Sequence, residues 1–390
     1  MAEFDTSKIE YNLTIEDKYL NSLCIDGFKL MMKDPSYCYK FYWLEAIVDL
    51  ITLNRQQATF DDVINEMICN AWYSVREFHI HLSGLPADGE IKDGLERAVI
   101  SLAEMSNLPA NASKEEVKNA IKEHDEDLKK HKEQLTNMVP YRALSGFFGD
   151  DAVKWESKPW MVLYIKKINQ GTLLPYTLGE SSGLKREVYF NPDWMKMIQD
   201  NAYSIKGWIQ FNKLEWLQKN NPEVPGLVYK LKPMDEKERK LNNVRKLWEG
   251  IIDITPVTDV FTGKLIESCK YDVDHFIPWS FVMNDELWNL MPMGSSLNNS
   301  KSNKLPKWDP FFEKFAYNQF IMYQLIHDRP GIHELFVRCY RDNLHSIWAG
   351  QELYRKGNSK IEFCNILQKN MQPVYDSARR QGYEVWNKVG

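Results

Sequence analysis

Residues 271–306 read YDVDHFIPWSFVMNDELWNLMPMGSSLNNSKSNKLP, and the reading of the whole chain turns on them. Asp274-His275 leads into a loop containing Pro278. Trp288-Asn289-Leu290 follows, and then a short polar helical run with Asn298 and Lys301. Cutting a phosphodiester calls for these residue types: a base that takes a proton from water, a divalent cation that offsets growing negative charge, and a group that aims the base. His275 suits the base, because the ordinary pKa of histidine lies near neutrality. Asp274 offers a hard oxygen of the kind Mg²⁺ accepts while keeping several waters, and Asn298 adds a neutral one. Lys301 lies three residues after Asn298, so on a helix it shares that face and can meet a phosphate oxygen. Asn299 would point elsewhere.

With these residues in view, the stretch resembles the HNH, or ββα-metal, endonucleases, in the form with asparagine in place of the last histidine. Asn289 stands fourteen positions after His275, Asn298 nine positions further on and Lys301 three beyond that. That spacing is similar to the HNH domain of RNA-guided CRISPR nucleases. The resemblance implies Mg²⁺ on Asp274 and Asn298, with Mn²⁺ as a substitute, and His275 activating water. It counts Asn289 and Lys301 with the catalytic set, Asn289 fastening the histidine loop and Lys301 touching phosphate. It further implies a prokaryotic defence or restriction-type protein.

Two features depart from the simplest pattern. Many small HNH domains carry two CxxC pairs on a structural zinc, whereas the cysteines at 24, 38, 69, 269, 339 and 364 never show that spacing. Val260-Phe261-Thr262-Gly263 stands at the place of the first pair, a turn expected to be held by packing, and no structural zinc is expected. In addition, a regular strand would point Asp274 and His275 to opposite faces and Asp272 and Asp274 to the same one. The site therefore requires the strand to end or distort at His275, with Asp272 as the fallback ligand.

At 390 residues the chain has room for two or three domains. It contains no eighteen-residue apolar run, and MAEFDTSKIEYNLTIEDKYL lacks the features of a leader, so no membrane association and a cytoplasmic location are expected. Scattered cysteines read as reduced thiols. The net charge of -5 argues against nucleic acid as a partner, but screening confines each charge to about 8–10 Å, so local clusters decide. Lys301, Lys304 and Lys307 follow the motif with no acid among them and are expected to track a phosphate backbone. A second cluster, Lys230, Lys232, Lys237, Arg239, Lys240, Arg245 and Lys246, is interleaved with Asp235, Glu236 and Glu238, and reads equally well as a solvated helix face.

The remainder is helical by pattern. Phe41, Leu44, Ile47, Val48 and Ile51 form one apolar stripe, and Phe60, Val63, Ile64, Met67 and Ile68 another, behind a capping box at Thr59-x-x-Asp62. Ser113-x-x-Glu116 opens a charged helix running to about Thr136, with a thin stripe of Val117, Ile121 and Leu128 that suits a projecting helix or a two-helix contact, a solvent-facing helix being the default. After Trp308, helices are expected near 310–327, 332–355 and 361–381.

The expected fold is mainly α with a small α+β (ββα-metal) HNH module. Its expected divisions are an N-terminal helical domain at 1–150, regulatory or partner-binding, a mostly helical connecting region at 151–235, the nuclease module at 236–310, and a C-terminal helical region at 311–390. The expected function is metal-dependent endonucleolytic hydrolysis of DNA, gated by a partner protein or a homo-oligomer. The alternatives are an RNase effector and a non-catalytic subunit that binds nucleic acid or a partner.

Overall fold

The computed structural model describes residues 13–387 apart from 34, 36, 85–90, 92, 149–157 and 232–238. Lys232, Asp235, Glu236, Lys237 and Glu238 of the second charged cluster thus lie outside the described residues. Of the described residues 64% are helical and a few lie in short strands, so the fold is mainly α with a small α+β module in the C-terminal half. It divides into two compact units, Met1–Pro222 with Lys230–Pro233 and Glu223–Tyr229 with Met234–Gly390.

The first unit contains α1 (Tyr39–Thr52), β1 (Gln57–Thr59), α2 (Phe60–Phe78), α3 (Gly94–Ser106), α4 (Lys114–Glu123), α5 (Asp125–Leu135), α6 (Lys158–Gly171), β2 (Tyr176–Leu178), β3 (Glu187–Phe190), α7 (Pro192–Asp200) and α8 (Ala202–Asn220). The three strands form an antiparallel sheet in the order β1-β3-β2. Both expected capping boxes form, Thr59 with Asp62 on α2 and Ser113 with Glu116 on α4. The long charged helix instead breaks at His124, whose φ of -110° is non-helical. Its thin stripe is covered: Val117, Ile121 and Leu128 are all buried. Lys132, also buried, is neutralised by Asp61 and Asp125, because an unpaired ammonium away from water would be costly.

The second unit builds α9 (Asn242–Ile252), β4 (Asp272–His275), β5 (Leu290–Met293), α10 (Ser295–Lys301), α11 (Trp308–Asp328), α12 (Pro330–Asn343) and α13 (Lys360–Arg380). β4 and β5 pair antiparallel in the register Asp272↔Met293, Val273↔Pro292, Asp274↔Met291 and His275↔Leu290. Pro292 is tolerated because β5 has a partner on one side only. The helix expected at 332–355 ends at Asn343. Just beyond, the Glu286 carboxylate accepts from the backbone N–H groups of His345 and Ser346, and Leu344 is non-helical, at φ -144° and ψ 81°. These side-chain acceptors offer the backbone an alternative to the helical ladder.

One core holds the unit together. Phe276 packs in it at 4.7 Å from Phe315 and 5.9 Å from Trp308, measured between ring centroids. Gln319 on α11 donates to Leu290 O at 2.7 Å, so α11 supports β5 through a hydrogen bond as well as through burial.

Candidate active site

The ββα element begins at a turn. Asp259 is buried, and its Oδ1 accepts from the backbone N–H of Phe261 and of Thr262, at 3.0 and 2.9 Å. Its Oδ2 accepts from Gly294 N, at the N-cap of α10, at 3.2 Å. The turn at Val260–Gly263 was expected to be held by packing. A carboxylate holds it as well, and ties it to the start of α10. Asp259→Ala would leave three N–H groups without their acceptor, the buried one of Phe261 among them, so it should lower stability by roughly 2 kcal/mol. A melting temperature within about 1 °C of the parent protein would refute that role.

β4 starts on α9 through a reciprocal pair: Arg245 donates to Tyr271 O at 2.7 Å, and the Tyr271 hydroxyl donates to Arg245 O at 3.0 Å. Burial pushes the Tyr271 phenol well above its ordinary pKa. Along β4 the burial alternates, with Asp272 and Asp274 half-buried and Val273 and His275 buried. The two aspartates therefore share a face, and His275 begins on the other. The expected break comes at His275, the last residue of the strand. Phe276 N donates to Asn289 O at 2.8 Å, and the chain then turns.

Asn289 secures that turn. It is fully buried; its Oδ1 accepts from Ile277 N and its Nδ2 donates to Ile277 O, each at 2.8 Å. With both ends of the amide engaged by backbone, Asn289 is placed to position the loop, and its polar atoms do not face a substrate.

α10 lies against β4. Asn298 donates through Nδ2 to Asp272 Oδ2 at 3.2 Å, while Asn299 is exposed, as the helical spacing predicts. Lys301 was expected to meet phosphate. It is instead fully buried, its Nζ 2.9 Å from Asp274 Oδ2. The i,i+3 spacing that aligns it with Asn298 also turns it inward, and a buried ammonium needs a carboxylate beside it. Lys304 pairs at 2.9 Å with Glu384, an acid brought alongside from the far end of the chain, and Lys307 is exposed. In the second cluster Lys240 pairs with Asp342, Arg245 is engaged with Tyr271, and Lys230 is buried in the first unit.

His275 is fully buried. Its Nε2 lies 3.1 Å from Asn284 O and 3.1 Å from Asp285 Oδ1. Both neighbours are acceptors, so of the two neutral tautomers they favour the one with the proton on Nε2 and a lone pair on Nδ1. Nδ1 is buried and has no hydrogen-bond partner. An imidazole fixed in this way can take a proton at one defined atom.

Residues 259–307 match a family model described as HNH endonuclease, HNH_4. The chain carries an HNH endonuclease domain. No curated protein and no solved structure matches the chain. An HNH domain implies nucleic-acid binding and points to a hydrolytic nuclease, and HNH endonucleases generally use divalent metal ions. The donors here suit a hard cation: Asp272 and Asp274 share one face of β4, and Asn298 is brought beside them by its Nδ2 hydrogen bond to Asp272. The Lys301 ammonium against Asp274 shows that this face of the HNH domain already accommodates positive charge. No helix among the described residues is long and apolar enough to cross a membrane.

Asp285 was missed in the sequence. It stands ten residues after His275, and only the chain reversal at Met283, whose φ is 56°, brings it back to the imidazole.

Proposed function

We propose that the protein is a metal-dependent HNH endonuclease that hydrolyses phosphodiester bonds of DNA. The observation that carries this reading is the state of His275: Nε2 is held between two acceptors, and Nδ1 is left bare, one residue from a carboxylate that faces α10. His275 takes the proton of the attacking water at Nδ1. Asn289 keeps the ring in place by tying down Ile277, two residues on. One Mg²⁺ held by Asp274 and Asn298, with Mn²⁺ able to replace it, would offset charge on the phosphate and on the leaving oxygen. The products carry a 5′ phosphate and a 3′ hydroxyl, as the family resemblance implies. Lys304 and Lys307 contribute attraction to the backbone of the substrate.

The nuclease is gated. Two features support this: His275 Nδ1 is sealed from solvent, and one oxygen of Asp274 is occupied by Lys301. A partner protein or a second copy of the chain opens the site, and the helical remainder receives that signal. A gated DNase of this kind fits a cytoplasmic effector of a prokaryotic anti-phage or restriction system.

The test is a parallel digest of duplex DNA, single-stranded DNA and RNA by the purified chain, with Mg²⁺ and with EDTA. Metal-dependent cutting of DNA alone supports the reading, and cutting of RNA alone replaces it with an RNase. Rapid degradation of plasmid by the chain with Mg²⁺ as sole addition removes the gate.

A further inference from the structure

Asp285 carries a buried oxygen, Oδ1, that has no hydrogen-bond partner of its own and lies 3.1 Å from His275 Nε2. A carboxylate oxygen in such a place is costly unless a neighbour compensates it, and an orphaned buried polar atom in a folded protein calls for a reason. The surrounding loop is built to keep it there. Asn343, fully buried at the end of α12, donates through Nδ2 to Asp285 O at 2.9 Å. The next residue, Glu286, accepts from His345 N and Ser346 N at 2.8 and 3.3 Å. Neither anchor involves the Asp285 carboxylate, which is left to face the imidazole.

We propose that Asp285 is a positioning residue of the hydrolytic reaction: its carboxylate holds His275 in the Nε2–H tautomer and fixes the ring, so that Nδ1 presents its lone pair. The Asn284 carbonyl shares Nε2 but is main chain on an exposed residue, and it carries no charge. A carboxylate oxygen 3.1 Å from Nε2 adds an electrostatic attraction to that N–H which the uncharged carbonyl lacks. Outer partners that orient a reacting imidazole in this way are typically worth about 10–100-fold in activity when removed.

The inference rests on the nuclease reading for its effect on rate, but not for its structural half. The experiment compares the full chain with Asp285→Asn, which keeps shape and removes charge, and with Asp285→Glu, which keeps charge. Histidine-selective ¹⁵N NMR of the metal-free proteins, with His275→Gln to assign the resonance, reads the tautomer without needing activity. In the parent protein the His275 ring should be Nε2–H. In Asp285→Asn a mixture of tautomers is expected, with kcat down about 10–100-fold, KM within about twofold and the melting temperature nearly unchanged. Asp285→Glu should recover part of the lost kcat.

An unchanged tautomer in Asp285→Asn overturns the proposal, because the Asn284 carbonyl is then sufficient. So does a parent-like kcat in that variant. If the parent chain cleaves neither DNA nor RNA and also fails to bind Mg²⁺, the nuclease reading falls, whereas Mg²⁺ binding without cleavage marks a closed gate; in either case the tautomer alone decides the role of Asp285.

Discussion

His275→Ala should cleave nucleic acid roughly a thousandfold more slowly than the parent chain, the scale expected when a general base is removed. Because His275 is fully buried, alanine also leaves a cavity and costs about 2–4 kcal/mol, which complicates a simple loss of activity. His275→Gln is the cleaner comparison. Its amide can still donate toward Asn284 O, it fills much of the ring's volume, and it lacks a basic nitrogen. Both variants should be inactive, and His275→Gln should melt close to the parent temperature. Plasmid nicking followed over time in Mg²⁺, under conditions where the parent chain is active, is the measurement. Cleavage by His275→Gln at the parent rate would remove His275 from the reaction.

Asp274→Asn should have the largest effect on stability. It strands the Lys301 ammonium, fully buried and 2.9 Å from the altered group, without its counter-charge. Breaking a buried pair from one side typically costs about 3–5 kcal/mol, which for a unit of this size lowers the melting temperature by roughly 10 °C. Changing Lys301→Met in the same chain should restore most of that loss, since a buried pair exchanged for apolar groups is often neutral. Activity should not return, because the Asp274 carboxylate is still missing. A double variant no more stable than Asp274→Asn would show that the two side chains do not depend on each other.

These two experiments bear on residues whose environments were legible to different degrees. The apolar stripes and capping boxes of the first unit could be read from local spacing, because helix periodicity and N-cap hydrogen bonds act within a few residues. The pairing of Asn298 and Lys301 on one face of α10 was legible for the same reason. What Lys301 touches was not, since a 3.6-residue period tells which residues share a face and not whether that face meets water or a strand. The helix expected at 332–355 failed at Asn343 because Glu286, far away in sequence, supplies acceptors that compete with the helical ladder. The absence of acids around Lys304 likewise held only along the chain, because Glu384 arrives from its far end.

By itself, the sequence determined that this is a mainly α protein with an HNH domain, since that signature is a set of residue types at fixed offsets within a single ββα element. Only the tertiary structure decided the state of the histidine. The partners of Nε2 arrive through a reversal at Met283, on a loop bolted by Asn343 to the end of α12. Contacts of that kind depend on where separate elements pack and not on the spacing along any one of them. The same holds for the burial of Lys301 and for the sealing of Nδ1, which follow from α10 lying on β4 and from a core shared with helices outside the motif.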